Sequence, residues 1–140
     1  MVIDHIAIAV RSVEAAAARL ERLTGYQRRT TVVTNTRQKV NVLFISKPGS
    51  MDIKLIEPSG DDSPLCTFLK RGGGLHHVAF KVPDVTAACA DMSAAGVRIL
   101  AQPEPGEAFD DHLIAFCYLG LGLNVELIDT DARRAVLESG

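Results

Sequence analysis

Several features that would narrow the function quickly are missing from this sequence. Its three cysteines, Cys66, Cys89 and Cys117, fall in no CxxC or similar spacing, which argues against a cysteine metal site and leaves them as small apolar residues in reduced form. No apolar run approaches the roughly 20 residues that a membrane helix needs. Fifteen Lys and Arg stand against seventeen Asp and Glu, and a net charge of −2 gives no electrostatic basis for binding nucleic acid or an anionic membrane. Met1 runs straight into the strand-like stretch Val2 to Val10 without the basic region and cleavage site of a secretory signal, so the cytoplasm is the expected compartment. What remains is ordinary: 140 residues, 47% hydrophobic and 23% charged, enough for one domain with a sizeable core.

The chain repeats itself. Shifted by 72 positions, Ile3-Asp4-His5-Ile6-Ala7-Ile8-Ala9-Val10 lies over Leu75-His76-His77-Val78-Ala79-Phe80-Lys81-Val82, sharing His, Ala and Val. The same shift pairs Val13 with Val85, Phe44 with Phe116, and Leu55-Ile56-Glu57 with Leu127-Ile128-Asp129. One offset held over half the chain is the mark of a duplicated module.

Each half reads as β-α-β-β-β. In the first, a strand from Ile3 to Val10 precedes Ser12 as N-cap, an Ala-rich amphipathic helix from Val13 to Leu23, Gly25 as its stop, and strands at Gln27 to Thr34, Lys39 to Ser46 and Met51 to Glu57. The second has a strand from Leu75 to Val82, a helix from Val85 to Ala95, and strands at Val97 to Ala101, Leu113 to Tyr118 and Leu123 to Asp129. The reading is α+β: one domain of two tandem βαβββ modules, 1–58 and 74–129, with a connector at 59–73 that carries a short helix, Leu65 to Lys70. The tail 130–140 reads as polar with a helical turn or two. Eight main strands are expected, forming a curved mixed sheet around a central cavity.

Strand alternation puts His5 on one side with Ala7 and Ala9, away from Ile6, Ile8 and Val10, and puts His77 on one side with Ala79, away from His76. Glu126 stands opposite the apolar pair Val125 and Leu127. His77 and Glu126 are 49 residues apart, and 49 residues beyond His5 lies Lys54. His5, Lys54, His77 and Glu126 are thus four equivalent positions that converge if the modules close one concave face. His76 is expected against the helix layer or half exposed.

The runs Asp4-His5-Ile6-Ala7, Lys54-Leu55-Ile56-Glu57-Pro58, Gly74-Leu75-His76-His77-Val78-Ala79-Phe80 and Val125-Glu126-Leu127 resemble the vicinal oxygen chelate superfamily of glyoxalases, closest to its methylmalonyl-CoA epimerases, from Val2 to about Asp129. The resemblance implies a divalent metal (Co, Ni, Mn, Zn or Fe) held at His5, His77 and Glu126. It also implies a homodimer acting on a small molecule, an acyl thioester or a 2-oxo or carboxylate compound, with no nucleic acid or membrane partner. The implied chemistry is epimerisation, isomerisation or a glyoxalase-like lyase reaction through removal of a proton next to a carbonyl, with Glu126 and Lys54 as candidate catalytic groups. Asn41, Gln38 and His112 are candidate substrate-binding residues.

Two departures matter. Lys54 occupies the position of a fourth ligand, usually Glu or Gln, and an ammonium has no lone pair for a metal. Two His and a carboxylate still make a facial triad; alternatively Lys54 pairs with Glu126 and replaces the metal. No Asp or Glu lies between Arg22 and Met51, where the family places one of its two proton-transferring carboxylates. The rival readings are a metal-free biosynthetic enzyme and a binding protein that sequesters a drug or metabolite.

Overall fold

The computed structural model describes residues 1–138 of the chain. In chain order the elements are β1 (Val2–Ala9), α1 (Val13–Thr24), β2 (Gln27–Arg28), β3 (Val33–Asn35), β4 (Val40–Ser46), β5 (Asp52–Pro58), α2 (Leu65–Lys70), β6 (Gly74–Lys81), α3 (Val85–Ala94), β7 (Arg98–Gly106), a 3-10 turn (Glu107–Phe109), β8 (His112–Tyr118) and β9 (Asn124–Ile128). The strands form one mixed sheet in the order β2-β4-β5-β1-β6-β9-β8-β7, with β3 also paired to β4. The α+β reading and the curved mixed sheet hold.

The repeat is written into the register. β1 pairs with β5 in parallel, His5 opposite Asp52 and Ala7 opposite Lys54; β6 pairs with β9 in parallel, His77 opposite Asn124 and Ala79 opposite Glu126. Every one of these pairs maps onto its counterpart by the same 72-residue shift (5 to 77, 52 to 124, 54 to 126). The helix starts repeat as well. Ser12 and Asp84 cap α1 and α3 through the amides of Ala15 and Ala87, and Glu57 and Asp129 accept the amides of Val13 and Val85. A cap of this kind stabilises a helix by about 1 kcal/mol.

Strand alternation then sorts two cores. On the outer face α1 packs Val13 and Ala17 against Leu43, Ile45 and Leu55, and α3 packs Val85 and Cys89 against Ala115, Val125 and Leu127. The alternate residues of the same strands, among them Val42, Phe44, Ile56, Ile114 and Ile128, make the inner core of the concave face. Burying each large side chain completely contributes about 1.5–3 kcal/mol.

Four expectations are corrected. The strand expected from Gln27 to Thr34 is two short strands, giving nine in all, because the amides of Arg29 and Thr30 both turn to the carbonyl of Phe44 and Thr30 bridges to Val136 instead. The strand expected to end at Ala101 runs to Gly106 through Pro103 and Pro105; β7 is an edge strand, where a missing amide costs no ladder bond. The tail forms no helix among the described residues. It runs as a strap over the concave face, with Thr31 N–H donating to Ala135, Leu137 N–H to Arg29 and Arg134 N–H to Ala108.

The fourth correction concerns the side that His76 faces, while its expected half exposure holds. Between the pairs Ala7–His77 and Ile8–Leu75 the register slips, so His76 is the extra residue of a bulge. A bulge breaks the two-residue alternation and turns His76 toward the same side as His77. Asp4, 72 residues earlier, is likewise skipped between Ile3–Phe80 and His5–Ala79.

Candidate metal centre and cavity

Because β5, β1, β6 and β9 are adjacent in the middle of the sheet, their inward residues at one level meet. Lys54, His5, His77 and Glu126 are all buried, at no more than 2% exposure. Glu126 is the hub: its Oε1 lies 3.0 Å from His5 Nε2, 3.2 Å from His77 Nε2 and 3.3 Å from Lys54 Nζ, which also stands 3.2 Å from Oε2. The four positions that the repeat makes equivalent therefore come together.

The polarity of His5 shows what the cluster can hold. Its Nδ1 is 2.7 Å from Asp4 Oδ2, so the proton given to Asp4 leaves Nε2 with a lone pair facing a carboxylate oxygen. Two acceptors at 3.0 Å need a cation or a further proton between them. Ligands bonded at about 2.1 Å and at right angles around a divalent ion lie about 3 Å apart, the spacing found here. One donor atom from each of His5, His77 and Glu126 lies within 4.8 Å of the others. The donor set fits a divalent metal, with Asp4 and His76 behind the two imidazoles in the supporting positions that orient metal-binding histidines. His76 Nδ1 is 2.8 Å from His77 Nδ1.

Electrostatics agree with ligand chemistry. Burial pushes the His77 imidazolium down to about 3 and that of His76 to about 4, so both rings are neutral at physiological pH. Burial works to raise the pKa of Glu126, but the charge of Lys54, with the close imidazoles of His5 and His77, prevails and holds it well below the usual carboxylate range. For Lys54 burial outweighs the attraction of Glu126 and lowers the ammonium pKa.

A cavity of about 470 Å3 opens on this cluster. Lys54, His76 and His77 of the cluster line it, together with Gln38, Glu104 and Phe116. Gln38 thus reaches the cavity. Asn41 does not: it donates to Glu57 and accepts from Thr34. Nor does His112, which is exposed and holds the carbonyl of Phe109 through Nδ1. A smaller opening of about 380 Å3, over α3, is lined by Met1, Pro83 and Met92 and has no part in the cluster.

Two groups escaped the sequence reading. Arg133 is 2% exposed in its side chain, lies 4.5 Å above the Phe44 ring and 5.0 Å from the Phe109 ring, and donates to Asp4 at 2.6 Å. Only its place in an apparently polar tail hid it; no local pattern marks it. Glu104 sits in a Pro-flanked stretch that reads as a loop, and only the observed course of β7 brings it to the cavity.

The model of the glyoxalase/bleomycin resistance protein/dioxygenase superfamily matches residues 4–116. The ethylmalonyl-CoA/methylmalonyl-CoA epimerase of Cereibacter sphaeroides is 36% identical over 109 residues, 74% of this chain and 77% of that one. The human mitochondrial methylmalonyl-CoA epimerase is 33% identical over 71% of this chain, which spans 57% of the human protein's length. Among solved structures, a variant of the Streptomyces coelicolor methylmalonyl-CoA epimerase in complex with 2-nitronate-propionyl-CoA superposes with a TM-score of 0.81 at 30% identity, covering 94% of this chain and 99% of that one. The methylmalonyl-CoA epimerase of Mycobacterium tuberculosis gives the same TM-score at 28% identity, over 91% and 86%. With this sheet, repeat and inward cluster, the chain belongs to the glyoxalase/bleomycin resistance protein/dioxygenase superfamily, and its relatives in sequence and in structure include methylmalonyl-CoA epimerases.

Proposed function

We propose that this protein is a metal-dependent isomerase that epimerises a small 2-carboxyacyl-CoA thioester by moving the proton next to the thioester carbonyl. The observation that carries the reading is the convergence of His5 Nε2, His77 Nε2 and a Glu126 oxygen at metal-ligand spacing beside a cavity of thioester-head size. His5, His77 and Glu126 would hold a divalent ion of the Co, Ni, Mn, Zn or Fe class, which would supply Lewis acidity toward the substrate carbonyls and so acidify the neighbouring carbon. The chain does the rest. Asp4 fixes the Nδ1 proton of His5, and His76 backs His77, so both Nε2 atoms point inward. The apolar walls, among them Ile56, Leu65 and Phe116, limit water around the enolate. Gln38 offers its side-chain oxygen, buried and without a partner, to a substrate donor. Acyl-CoA ligands in the structural relatives support a thioester substrate, although the turn Leu119 to Leu123 brings no basic residue for the nucleotide end.

A second reading rests on one contact. Lys54 Nζ touches both oxygens of Glu126, and this buried ion pair fills the place of a fourth ligand without any metal. Lys54→Gln separates the two. It tightens divalent-metal binding in calorimetric titration if the triad holds an ion. If the ion pair stands alone, it lowers the melting temperature and no metal is taken up. Turnover of methylmalonyl-CoA by protein loaded with Co or Mn tests the activity itself; no turnover with either epimer refutes it. We also propose a cytoplasmic homodimer, and a monomeric mass by light scattering at micromolar concentration refutes the dimer.

A further inference from the structure

Resting on that reading, we infer that Glu104 is the general base at the mouth of the cavity. Inversion at a carbon next to a carbonyl needs a proton acceptor within reach of that carbon, and few cavity groups qualify. Glu126 is sealed away, its oxygens engaged by His5, His77 and Lys54. The Arg37 guanidinium stays protonated, and the amides of Asn35, Gln38 and Asn124 take no proton at neutral pH. Lys54 is committed to Glu126, His77 has both ring nitrogens engaged by Glu126 and His76, and His76 is held through Nδ1 in the position that backs His77. Glu104 is the one carboxylate among the residues lining this cavity.

Its placement suits the role. Glu104 comes from β7, at one end of the sheet, and meets Gln38 from the β3–β4 turn near the other end, and both line the same cavity as Lys54 on strand β5. Gln38 Nε2 donates to Glu104 Oε1 at 2.8 Å, and among the described residues nothing binds Oε2. One oxygen is thus held while the other is free to accept. The rim contact is braced on the same side, where Glu107 accepts the amide of Thr36 and Asn35 Oδ1 accepts the amide of Ala108. In the step assigned to Glu104, the Cα–H bond of the thioester breaks and an O–H bond forms on its free oxygen. The electron pair passes into the carbonyl as an enolate, a solvent proton forms the new Cα–H bond on the opposite face as the pair returns to carbon, and the half-buried acid gives the first proton back to solvent. The stretch from Arg22 to Met51, empty of carboxylates, thus acquires one from the other half of the chain.

The test uses the metal-loaded protein with methylmalonyl-CoA in deuterated water. It follows epimerisation and uptake of deuterium at the α-carbon for the wild type, Glu104→Gln, Glu104→Asp and the exchanged pair Gln38→Glu with Glu104→Gln. A base contributes roughly 100-fold or more, so Glu104→Gln should lower kcat by at least that much, with KM, metal content and melting temperature close to wild type. Glu104→Asp and the exchanged pair should each recover part of the loss, since both return a carboxylate to the rim. A Glu104→Gln protein within threefold of wild-type kcat, in a preparation whose wild type is active, overturns the assignment and leaves the epimerase reading standing. A wild type that neither epimerises nor exchanges the α-proton overturns both.

Discussion

His5 and His77 occupy matching places in a duplicated sheet and live in different surroundings. His5 is sealed: Phe44 and Phe109 lie 5.4 and 5.8 Å from its ring, Asp4 holds its Nδ1, and Arg133 from the terminal strap closes over Asp4. His77 has Phe116, the counterpart of Phe44, at 5.2 Å, but His76 in place of Asp4 and an open cavity in place of the strap. Duplication therefore supplies symmetric imidazoles, and the unrepeated parts of the chain decide which side stays open. The Glu107–Phe109 turn and the tail fill one half, leaving the other to bind.

The largest effect that can break this comparison is at its shared hub. Glu126→Gln leaves the Lys54 ammonium buried without a counter-charge, which costs on the order of 3–5 kcal/mol in denaturant unfolding of the metal-free protein. It also abolishes metal uptake, because both halves lose their common ligand.

Arg133→Ala tests the sealed side alone. It strands Asp4 and uncovers the faces of Phe44 and Phe109, for an expected loss of about 2–4 kcal/mol. Because Asp4 orients His5, metal affinity should also fall, by about tenfold or more in calorimetric titration. Affinity for substrate at the open side should change far less.

Much of this was legible in the sequence. The 72-residue offset predicted the duplicated module and the four inward residues, because a period-2 strand in a duplicated module carries every side chain to an equivalent place. His76 escaped because a bulge is one residue of slippage, below the resolution of alternation, and Arg133 because its partners come from residues 4, 44 and 109, far away in the chain. Asn41 was placed on the right strand, yet it is bound to Glu57, and His112, read as a loop residue, opens β8 and faces solvent.

The open side carries the acid sensitivity. An unfolded His titrates near 6.5 and His77 in the fold at about 3, so as pH falls from about 6.5 toward 3 the unfolded chain gains a proton that the folded one refuses. Stability from neutral His77 is thus fully present above 6.5 and lost with falling pH, at up to about 1.4 kcal/mol per pH unit. His76, at about 4, acts in the same direction over a narrower window. In chelator-treated protein His77→Gln should flatten the pH dependence of the melting temperature between pH 6 and 4. A slope unchanged by this substitution would place the acid-sensitive group elsewhere.

The smallest effects belong to the residues outside both sides. Asn41→Ala and His112→Ala should each leave KM for the thioester within about twofold of wild type, since neither lines the cavity. A tenfold rise at either would mean that the substrate extends beyond the cavity described.

Metal content, measured by mass spectrometry on protein purified without chelator or nickel resin, tests the centre most directly. One divalent ion per chain is expected, retained in Arg133→Ala at saturating metal and absent from Glu126→Gln. A wild-type chain that carries no ion and takes up none of Co, Ni, Mn, Zn or Fe on titration would contradict the metal site and leave Lys54–Glu126 as the core of a metal-free one.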